Sequence, residues 1–528
     1  QWIDPVTADV ALVINPNHVW LQRVCLMNQL ETTMSLNSPI KNADKFFIGG
    51  QWVSPSSSAQ IKVINSATEE PFITVAEAQE ADVNRAVDAA RVAFDQGPWP
   101  RMTPGERANY LMALATELEK LGDRSAQVWS SESGIVNSTA LAITRTVGGI
   151  YRYNASLADK FEFQERHESS AAGYVGLLVH EPVGVVATII PWNGPPLISA
   201  VKLAPALLAG CSIILKMSPE APGLGYLIAE ACENIGLPPG VMNILTADRA
   251  VSELLVRHPG VDKVAFTGST AAGRRIGSIC GERLARCTLE LGGKSAAIIC
   301  DDYDVETAAK SIAQRTTFLT GQVCSSLTRI LVSRNRHDAL VEALSASFAT
   351  VKVGDPFNPA SGMGPLATRI QRERVEGFIA KGKAEGAILA SGGRRPKDLE
   401  RGFYIEPTVF GNVDNQSTIS QEEIFGPVLS VIPVENEAHA VQIANDNIYG
   451  LGGAVFTNDV ERAYAIGRQV RTGTVAQNSH RTEMLIGYGG FKHSGIGRSG
   501  GVEGLRGYLE SKVLSLQSIP EATGLSNK

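Results

Sequence analysis

A chain of 528 residues, 44% of them hydrophobic and 19% charged, has too much apolar surface to stay disordered and too much length for a single core, so at least two packed domains are expected. Its formal charge of -6 argues against the clustered basic face of a nucleic-acid binder, and no apolar run has the length of a bilayer span, which makes a small molecule the expected partner. Cysteines number 7 without a C-x-x-C pair, so they form neither a disulfide framework nor a zinc site; a reducing, cytoplasmic setting and no bound metal are expected.

In chain order, residues 1–33 open with Gln1, and the apolar patch 10–14 lacks the basic leader and small-residue cleavage site of a signal peptide. Residues 1–40 therefore read as an extension outside the fold, with Met34 as a natural start. Apolar residues at helical spacing predict helices over 82–94 and 106–121, the second opened by Pro104. Two β-rich runs follow, 174–180 and 183–191, joined at Glu181 and Pro182. A regular alternation comes next, with strands 185–190, 212–216, 241–245 and 263–267 interleaved with helices 197–209, 223–235, 250–257 and 271–280. Strand alternating with helix at this pace is the signature of βαβ units on a parallel sheet, hence a doubly wound, Rossmann-like domain. A further series, strand 296–299, helix 305–320, strand 329–332 and helix 338–349, predicts a second α/β domain. The β-rich tail 509–516 is expected to pair with 174–180 as a protruding arm.

The loop Phe266-Thr267-Gly268-Ser269-Thr270-Ala271-Ala272-Gly273 leaves a strand and opens a helix, so its backbone N–H groups and the positive helix end suit a pyrophosphate. A Gly-rich turn of this kind is as often purely structural, and Arg274 and Arg275 stand where a Walker loop needs Lys and Ser or Thr, which disfavours ATP. Cys324, in Gly321-Gln322-Val323-Cys324-Ser325-Ser326, is flanked by small turn-compatible residues and reads as an accessible thiol. Cys211, Cys232, Cys280, Cys287 and Cys300 lie in apolar segments and read as small buried hydrophobes. Glu290 sits between two leucines just before Gly292-Gly293. It reads either as a desolvated carboxyl with a raised pKa, fit to be a general base, or as a segment-end carboxylate paired with Lys294. Asn193, in Pro191-Trp192-Asn193-Gly194, ends a predicted strand, where α/β sheets place ligands; its amide suits an oxyanion, and Asn beside Gly and Pro also makes turns.

Taken together, Pro191-Trp192-Asn193, Lys216 after a strand, Phe266-Thr267-Gly268-Ser269-Thr270, Leu289-Glu290-Leu291-Gly292-Gly293-Lys294, Gly321-Gln322-Val323-Cys324 and Glu423-Ile424-Phe425-Gly426-Pro427 resemble the aldehyde dehydrogenase superfamily. The resemblance runs from about Phe46 to Ser511, with Asn, Glu and Cys in the family's order. It implies an α/β fold of two Rossmann-like doubly wound domains, an NAD(P)-binding one over 41–165 and 184–292 and a catalytic one over 293–500. A small β oligomerisation arm over 166–183 and 501–528 would join a homodimer or homotetramer.

By the same resemblance Cys324 attacks an aldehyde carbonyl, Asn193 and the Cys324 backbone N–H hold the oxyanion, and Glu290 activates the water that hydrolyses the thioester. Lys202 resembles a lysine suspected of supporting proton movement, or is a solvated surface charge. For the cofactor, the resemblance places Lys216 at the adenosine ribose, Ser269 at the pyrophosphate and Glu423 at the nicotinamide ribose, with Phe425 beside it. Ile190, Pro191, Trp192, Ser218, Gly268, Gly273 and Leu291 belong to the same cofactor set. Pro219 replaces the Glu that in many members binds ribose hydroxyls and repels a 2′-phosphate, and Glu220 is next door, so NAD is expected with NADP as a second candidate.

Gly194, Val201, Phe318 and Tyr488 resemble the family's substrate tunnel, the first two replacing aromatics of several acetaldehyde-oxidising members. A wider tunnel, and a bulky, aromatic or long-chain aldehyde, are therefore expected. Ser326 departs from the commoner Ala or Gly, and Ser499 stands where some members carry a Glu proposed as an alternative base. Gly497-Arg498-Ser499-Gly500-Gly501 also matches the G-x-S-x-G elbow of α/β-hydrolases but lacks the buried strand that must precede it. Nearer rivals are a coenzyme-A-acylating member, which Glu290 disfavours, and a semialdehyde-specific one; a non-catalytic relative is disfavoured by the presence of Cys324, Glu290 and Asn193.

Overall fold

A computed structural model describes residues 38–523, so most of the expected 1–40 extension, Met34 included, and the last five residues of the expected arm, 524–528, lie outside the described residues. The first sheet has eight strands in the order Gly495–Ile496, Arg286–Glu290, Lys263–Thr267, Val185–Ile189, Ser212–Met217, Met242–Thr246, Phe46–Ile48 and Gln51–Val53. The strands from Arg286–Glu290 to Met242–Thr246 run parallel, and antiparallel strands finish both edges. Successive strands of the parallel set lie to one side of Val185–Ile189 and then to the other, which is the doubly wound order expected from the βα alternation. The order reverses between Val185–Ile189 and Lys263–Thr267, so the crevice where such sheets receive ligands opens beyond the carboxyl ends of those two strands. Val185–Ile189, Ser212–Met217 and Met242–Thr246 are buried at every position, as strands covered on both faces must be.

The second sheet has seven strands, Ile388–Ser391, Thr408–Gly411, Val428–Val434, Leu327–Ser333, Ser295–Ile299, Gly452–Phe456 and Thr474–Gln477, all parallel except the first. The chain leaves the carboxyl end of Arg286–Glu290 and, through Leu291-Gly292-Gly293-Lys294, enters the amino end of Ser295–Ile299. The ligand end of one sheet is thereby brought against the amino ends of the other.

In a third sheet Leu509–Leu516 pairs antiparallel with Val175–Pro182, Leu509 opposite Pro182 and Leu516 opposite Val175, and Gln164–Glu168 lies on the far side. The tail thus meets the run it was expected to meet. The strand continues through Glu181 and Pro182, where the sequence placed a joint; the break falls at Gly184, whose φ of 127° a residue with a side chain rarely adopts.

The helices Glu80–Asp95 and Pro104–Lys120 stand where periodicity placed them. Thr103 caps the second, its hydroxyl accepting the Glu106 N–H at 3.2 Å while the Glu106 carboxylate accepts the Thr103 N–H at 2.7 Å, with Pro104 in the first turn. Helix Pro195–Ala209 is buried on nearly all sides, which carries Lys202 into the interior. No described helix is long and apolar enough to cross a membrane.

Candidate active site

Cys324 owes its position to a reversal that helical periodicity could not reveal. The helix expected to run to residue 320 ends at Thr317, and Leu319, Thr320 and Gly321 follow with φ of 50°, 55° and 71°. Side-chain-bearing residues held in this region cost about 1–3 kcal/mol each and persist where the surroundings dictate them. Here the Thr320 hydroxyl donates to the carbonyls of Gly364 (3.0 Å) and Pro365 (3.1 Å), and a Cβ on Gly321 would lie 2.4 Å from the Gly426 carbonyl carbon. Gln322 pins the next step, its side chain donating to Leu319 O at 3.0 Å and accepting the Ala367 N–H at 2.9 Å.

Asn193 follows the strand at the reversal point of the first sheet. Its backbone carbonyl accepts the Trp129 indole N–H at 3.0 Å, and Ser133 donates to the Trp192 carbonyl at 2.6 Å. The side-chain amide donates one hydrogen to Gln322 O at 2.9 Å, which leaves its second hydrogen for another acceptor. Glu290 ends its strand opposite Thr267, and Gly268 N–H donates to its carbonyl at 3.1 Å. Ser494 fixes the following turn by accepting the Leu291 N–H at its carbonyl (2.9 Å) and donating its hydroxyl to Gly292 O (2.6 Å).

These elements enclose two cavities. The smaller, about 250 Å³, is walled by Pro191, Trp192, Gly268, Ser269, Leu291, Glu423 and Phe425. The larger, about 400 Å³, is walled by Gly194, Val201, Phe318 and Tyr488 together with Leu197, Ile198, Val323 and Met484. Both include Asn193, Thr267, Glu290 and Cys324, so the thiol, the carboxyl and the amide form a shared floor. Ile190, Lys202, Lys216, Ser218, Glu220 and Gly273 stand outside both linings. Gly273 is spent on packing, since a Cβ there would lie 2.3 Å from Leu291 Cδ2. The Ser218 hydroxyl donates to Glu220, and burial pushes the Lys216 amine down to about 8 against the opposing pull of Glu220 and Asp248.

The floor is dry. Glu290 is 4% exposed, neither carboxylate oxygen closes a hydrogen bond, and burial pushes its pKa up to about 7; Lys202, the Ser499 hydroxyl nearby and Arg498 temper the shift. Of the two lysines, Lys202 and not Lys294 acts on Glu290, through its charge and without a direct ion pair. Lys202 is 0% exposed, far from a solvated surface charge, donates to Phe266 O at 3.4 Å and is itself lowered to about 8 by burial, with Glu290 opposing. Cys324 is half-buried instead of openly accessible. Burial pushes its thiol up to about 11, while the Tyr488 hydroxyl at 3.2 Å and the Ser325 backbone N–H pull it down, and Glu423 and Glu290 push it higher.

The sequence pattern of the aldehyde dehydrogenase family matches residues 52–514. The chain is 42% identical to the geranial dehydrogenase of Castellaniella defragrans over 471 residues, 89% of this chain and 98% of that protein. It superposes on a Mycobacterium tuberculosis aldehyde dehydrogenase complexed with NAD+ with a TM-score of 0.87 at 43% identity, over 92% of this chain and 99% of that one. A mutant of Pseudomonas syringae aldehyde dehydrogenase C, complexed with NAD+ and octanal, gives 0.87 at 37%, over 90% and 98%. The chain belongs to the aldehyde dehydrogenase family.

In this aldehyde dehydrogenase several wall residues escaped sequence reasoning. On helix Arg369–Ala384, Gln371 Nε2 donates to Ile424 O (3.2 Å) and Phe425 O (2.7 Å), and Arg374 donates to Glu423 O at 2.7 Å. They hold Phe425 at a φ of 62°, its ring edge-on to Trp192 with centroids 5.4 Å apart. Nothing local marks residues whose partners lie some fifty positions away. Thr267 and Gly292, inside the motifs 266–270 and 289–294, also line the smaller cavity. On the larger cavity's wall, His480 bonds Ser325 Oγ at 2.9 Å and not Ser499, which leaves the serine of the hydrolase reading without a histidine partner among the described residues.

Proposed function

We propose that this enzyme oxidises a bulky, aromatic or long-chain aldehyde to the carboxylic acid with NAD, through a thioester on Cys324 that is released by water deprotonated at Glu290. One observation carries the reading. The thiol, the buried carboxyl and the Asn193 amide form the floor common to two cavities, which is where a substrate carbon must meet a cofactor.

The smaller cavity fits the nicotinamide and pyrophosphate end of the cofactor. Gly268 and Gly292 leave bare backbone there, since a Cβ would lie 2.4 Å from the Phe266 ring or from Glu423 Oε2. Helix Thr270–Glu282 turns its amino end to the same space with no acidic residue in its first turn, as a pyrophosphate requires. Ser269 would meet the pyrophosphate, Lys216 the adenosine ribose and Glu423 the nicotinamide ribose. Glu423 accepts the Gly293 N–H through Oε1 at 3.0 Å and keeps Oε2 for a ligand hydroxyl. When bound, NAD supplies the acceptor for the hydride that leaves the substrate carbon. Glu220, already engaged by Ser218, is a weak guard against a 2′-phosphate, so NADP is a second acceptor.

The chain's own groups do the rest. Cys324 Sγ bonds to the carbonyl carbon, and the oxygen's new charge receives the free Asn193 amide hydrogen and the Cys324 backbone N–H. Once the thioester has formed, Glu290 takes a proton from water, the hydroxyl adds to the acyl carbon, and the C–S bond breaks to return the thiolate and release the acid. The charge of Lys202 favours the ionised form of Glu290.

Aliphatic and aromatic side chains dominate the inner wall of the larger cavity, and small residues at Gly194 and Val201 leave it wide. Geranial and octanal, the aldehydes of two relatives, are long and apolar and support this class. A semialdehyde is a second reading, because Arg315 and Arg481 also line the cavity and Arg315 makes no hydrogen bond or ion pair among the described residues. We further propose a homodimer or homotetramer joined through the sheet of Gln164–Glu168, Val175–Pro182 and Leu509–Leu516, which presents an unpaired strand edge on each side. The described cysteines are all free, which fits the reducing cytoplasm.

An aldehyde panel assayed with NAD and NADP tests the substrate. Each buried methylene contributes about 0.8 kcal/mol, so kcat/KM for octanal should exceed that for acetaldehyde by about a hundredfold or more. Acetaldehyde equal to or above octanal, geranial and benzaldehyde would refute the assignment, and succinic semialdehyde at the top would select the second reading.

A further inference from the structure

A tunnel wall needs only the ring of Tyr488, yet its hydroxyl stands 3.2 Å from Cys324 Sγ. The residue is 6% exposed and locked by a backbone ladder with Ser499, each N–H donating to the other's carbonyl at 2.7 Å. The hydroxyl therefore points at the sulfur by construction. In the resting pair either atom can donate, but once the sulfur carries a negative charge the phenol holds the sole proton between them. Burial keeps that phenol proton well above its ordinary range, so the group remains a donor wherever the thiol ionises. Hydrogen bonds to charged acceptors are the strong ones. The amide of Asn193 is on hand for the carbonyl oxygen, which leaves Tyr488 facing the sulfur.

We propose that the Tyr488 hydroxyl is a catalytic group that donates a hydrogen bond to the Cys324 thiolate, stabilising its charge and aiming the sulfur at the aldehyde carbon. This rests on the reading of Cys324 as the nucleophile. The other groups facing the pair are Glu290 at the end of Arg286–Glu290 and Glu423 before Val428–Val434, both of which oppose ionisation of the thiol, the Ser325 backbone N–H, which favours it, and the Ser325 side chain, which acts on the Tyr488 hydroxyl. Arg315, His480, Arg481 and Glu483 line the same cavity. His480, lowered to about 4 by burial and Arg315, carries no charge at neutral pH.

The test is the pH dependence of iodoacetamide alkylation of the full-length protein, in which the thiolate displaces iodide and forms a C–S bond. It is read by mass spectrometry on the tryptic peptide 316–329, which separates Cys324 from the other cysteines. Tyr488→Phe should raise the midpoint by about one unit and slow alkylation at neutral pH by about tenfold. Incorporating 3-fluorotyrosine at the same position, a more acidic phenol and stronger donor, should lower the midpoint. In turnover, kcat/KM for aldehyde should fall in Tyr488→Phe while the KM for NAD stays put. An unmoved midpoint in Tyr488→Phe, or a fluorotyrosine shift in the same direction as the Phe shift, would overturn the proposal. Should Tyr488→Phe fail to fold, the fluorinated protein, which differs by one atom, decides. A Cys324→Ala protein that still oxidises aldehyde would sink the nucleophile reading itself, whereas an inactive Cys324→Ala beside an unmoved Tyr488→Phe midpoint sinks the tyrosine proposal alone.

Discussion

Replacing Glu290 by Gln keeps the shape of the side chain and removes its charge, which isolates the hydrolytic half of the proposed cycle. The carboxyl is buried without a hydrogen-bond partner and titrates at about 7. It is protonated below that value and basic above it, so turnover limited by hydrolysis should climb about tenfold per pH unit below about 7 and level off beyond. Base assistance of this kind is worth about 10²- to 10⁴-fold, or about 3–5 kcal/mol of barrier, and that is the loss expected in steady-state turnover of Glu290→Gln. Thiol addition does not use the base, so stopped-flow traces should keep a full burst of reduced cofactor, and acid-quenched protein should carry an acyl group on the Cys324 peptide. The residual rate should be flat across pH 7. Stability gives an independent reading. The folded pKa lies above the ordinary value of 4.5, so the folded state binds a proton the unfolded chain releases; that contribution is present below 4.5 and lost as pH rises to about 7. The shift amounts to about 3 kcal/mol, against which a buried, unpaired amide costs about 1–3 kcal/mol, so Glu290→Gln should melt no lower than the parent at pH 8. Parental turnover in Glu290→Gln, or an acidic limb that survives at about 7, would refute the assignment of the base.

Removing the amide in Asn193→Ala should slow the burst by about 10²- to 10³-fold, the usual cost of losing one oxyanion donor; an unaltered burst would place the oxyanion elsewhere. Lys202→Met removes the cation that holds the Glu290 charge, so the acidic limb of turnover should move above about 7, and a limb that does not move would mean the two groups are uncoupled. Gly194 has a φ of -141° and its Cβ would touch only Ile198, at 3.5 Å, so Gly194→Phe should fold and fill the larger cavity. Its ratio of kcat/KM for octanal over acetaldehyde should fall by about tenfold or more; an unchanged ratio would remove that cavity from the substrate's path.

The central strands were legible because a parallel strand covered on both faces is a short run of β-branched and aliphatic residues bounded by turns, which is how 185–190, 212–216 and 263–267 read. The candidate floor was legible only as fragments. Asn193, Glu290 and Cys324 meet only as lining of the same cavities, held by contacts such as Asn193 to Gln322, 129 residues apart, which no local pattern encodes, and the resemblance assembled what periodicity could not. The strands Phe46–Ile48, Gln51–Val53 and Gly495–Ile496 were missed, being two or three residues long and held by their sheet neighbours. Leu319, Thr320 and Phe425 went unseen because their backbones are dictated from outside: by the Gly364 and Pro365 carbonyls for Thr320, and by Gln371 for Phe425. Lys294 looked like the natural counter-ion of Glu290 four residues away, but the lysine whose charge acts on it is Lys202, buried on a helix after Asn193.

The electrostatics of the floor also order the proposed steps. Burial holds the Cys324 thiol at about 11, so ionising it at neutral pH costs free energy before a substrate is engaged. The resting sulfur is thus neutral and poorly reactive, and the hydrogen bond from Tyr488 is the contact already in place to reduce that cost. Glu290 raises the pKa of Cys324, and by reciprocity a Cys324 thiolate raises that of Glu290, so the pair favours one negative charge at a time. While the sulfur is anionic and attacking, the carboxyl is driven toward its protonated form and does not compete. Once the sulfur is tied up as a thioester its charge is gone, the constraint on Glu290 lifts, and the base ionises at the step where water must be deprotonated.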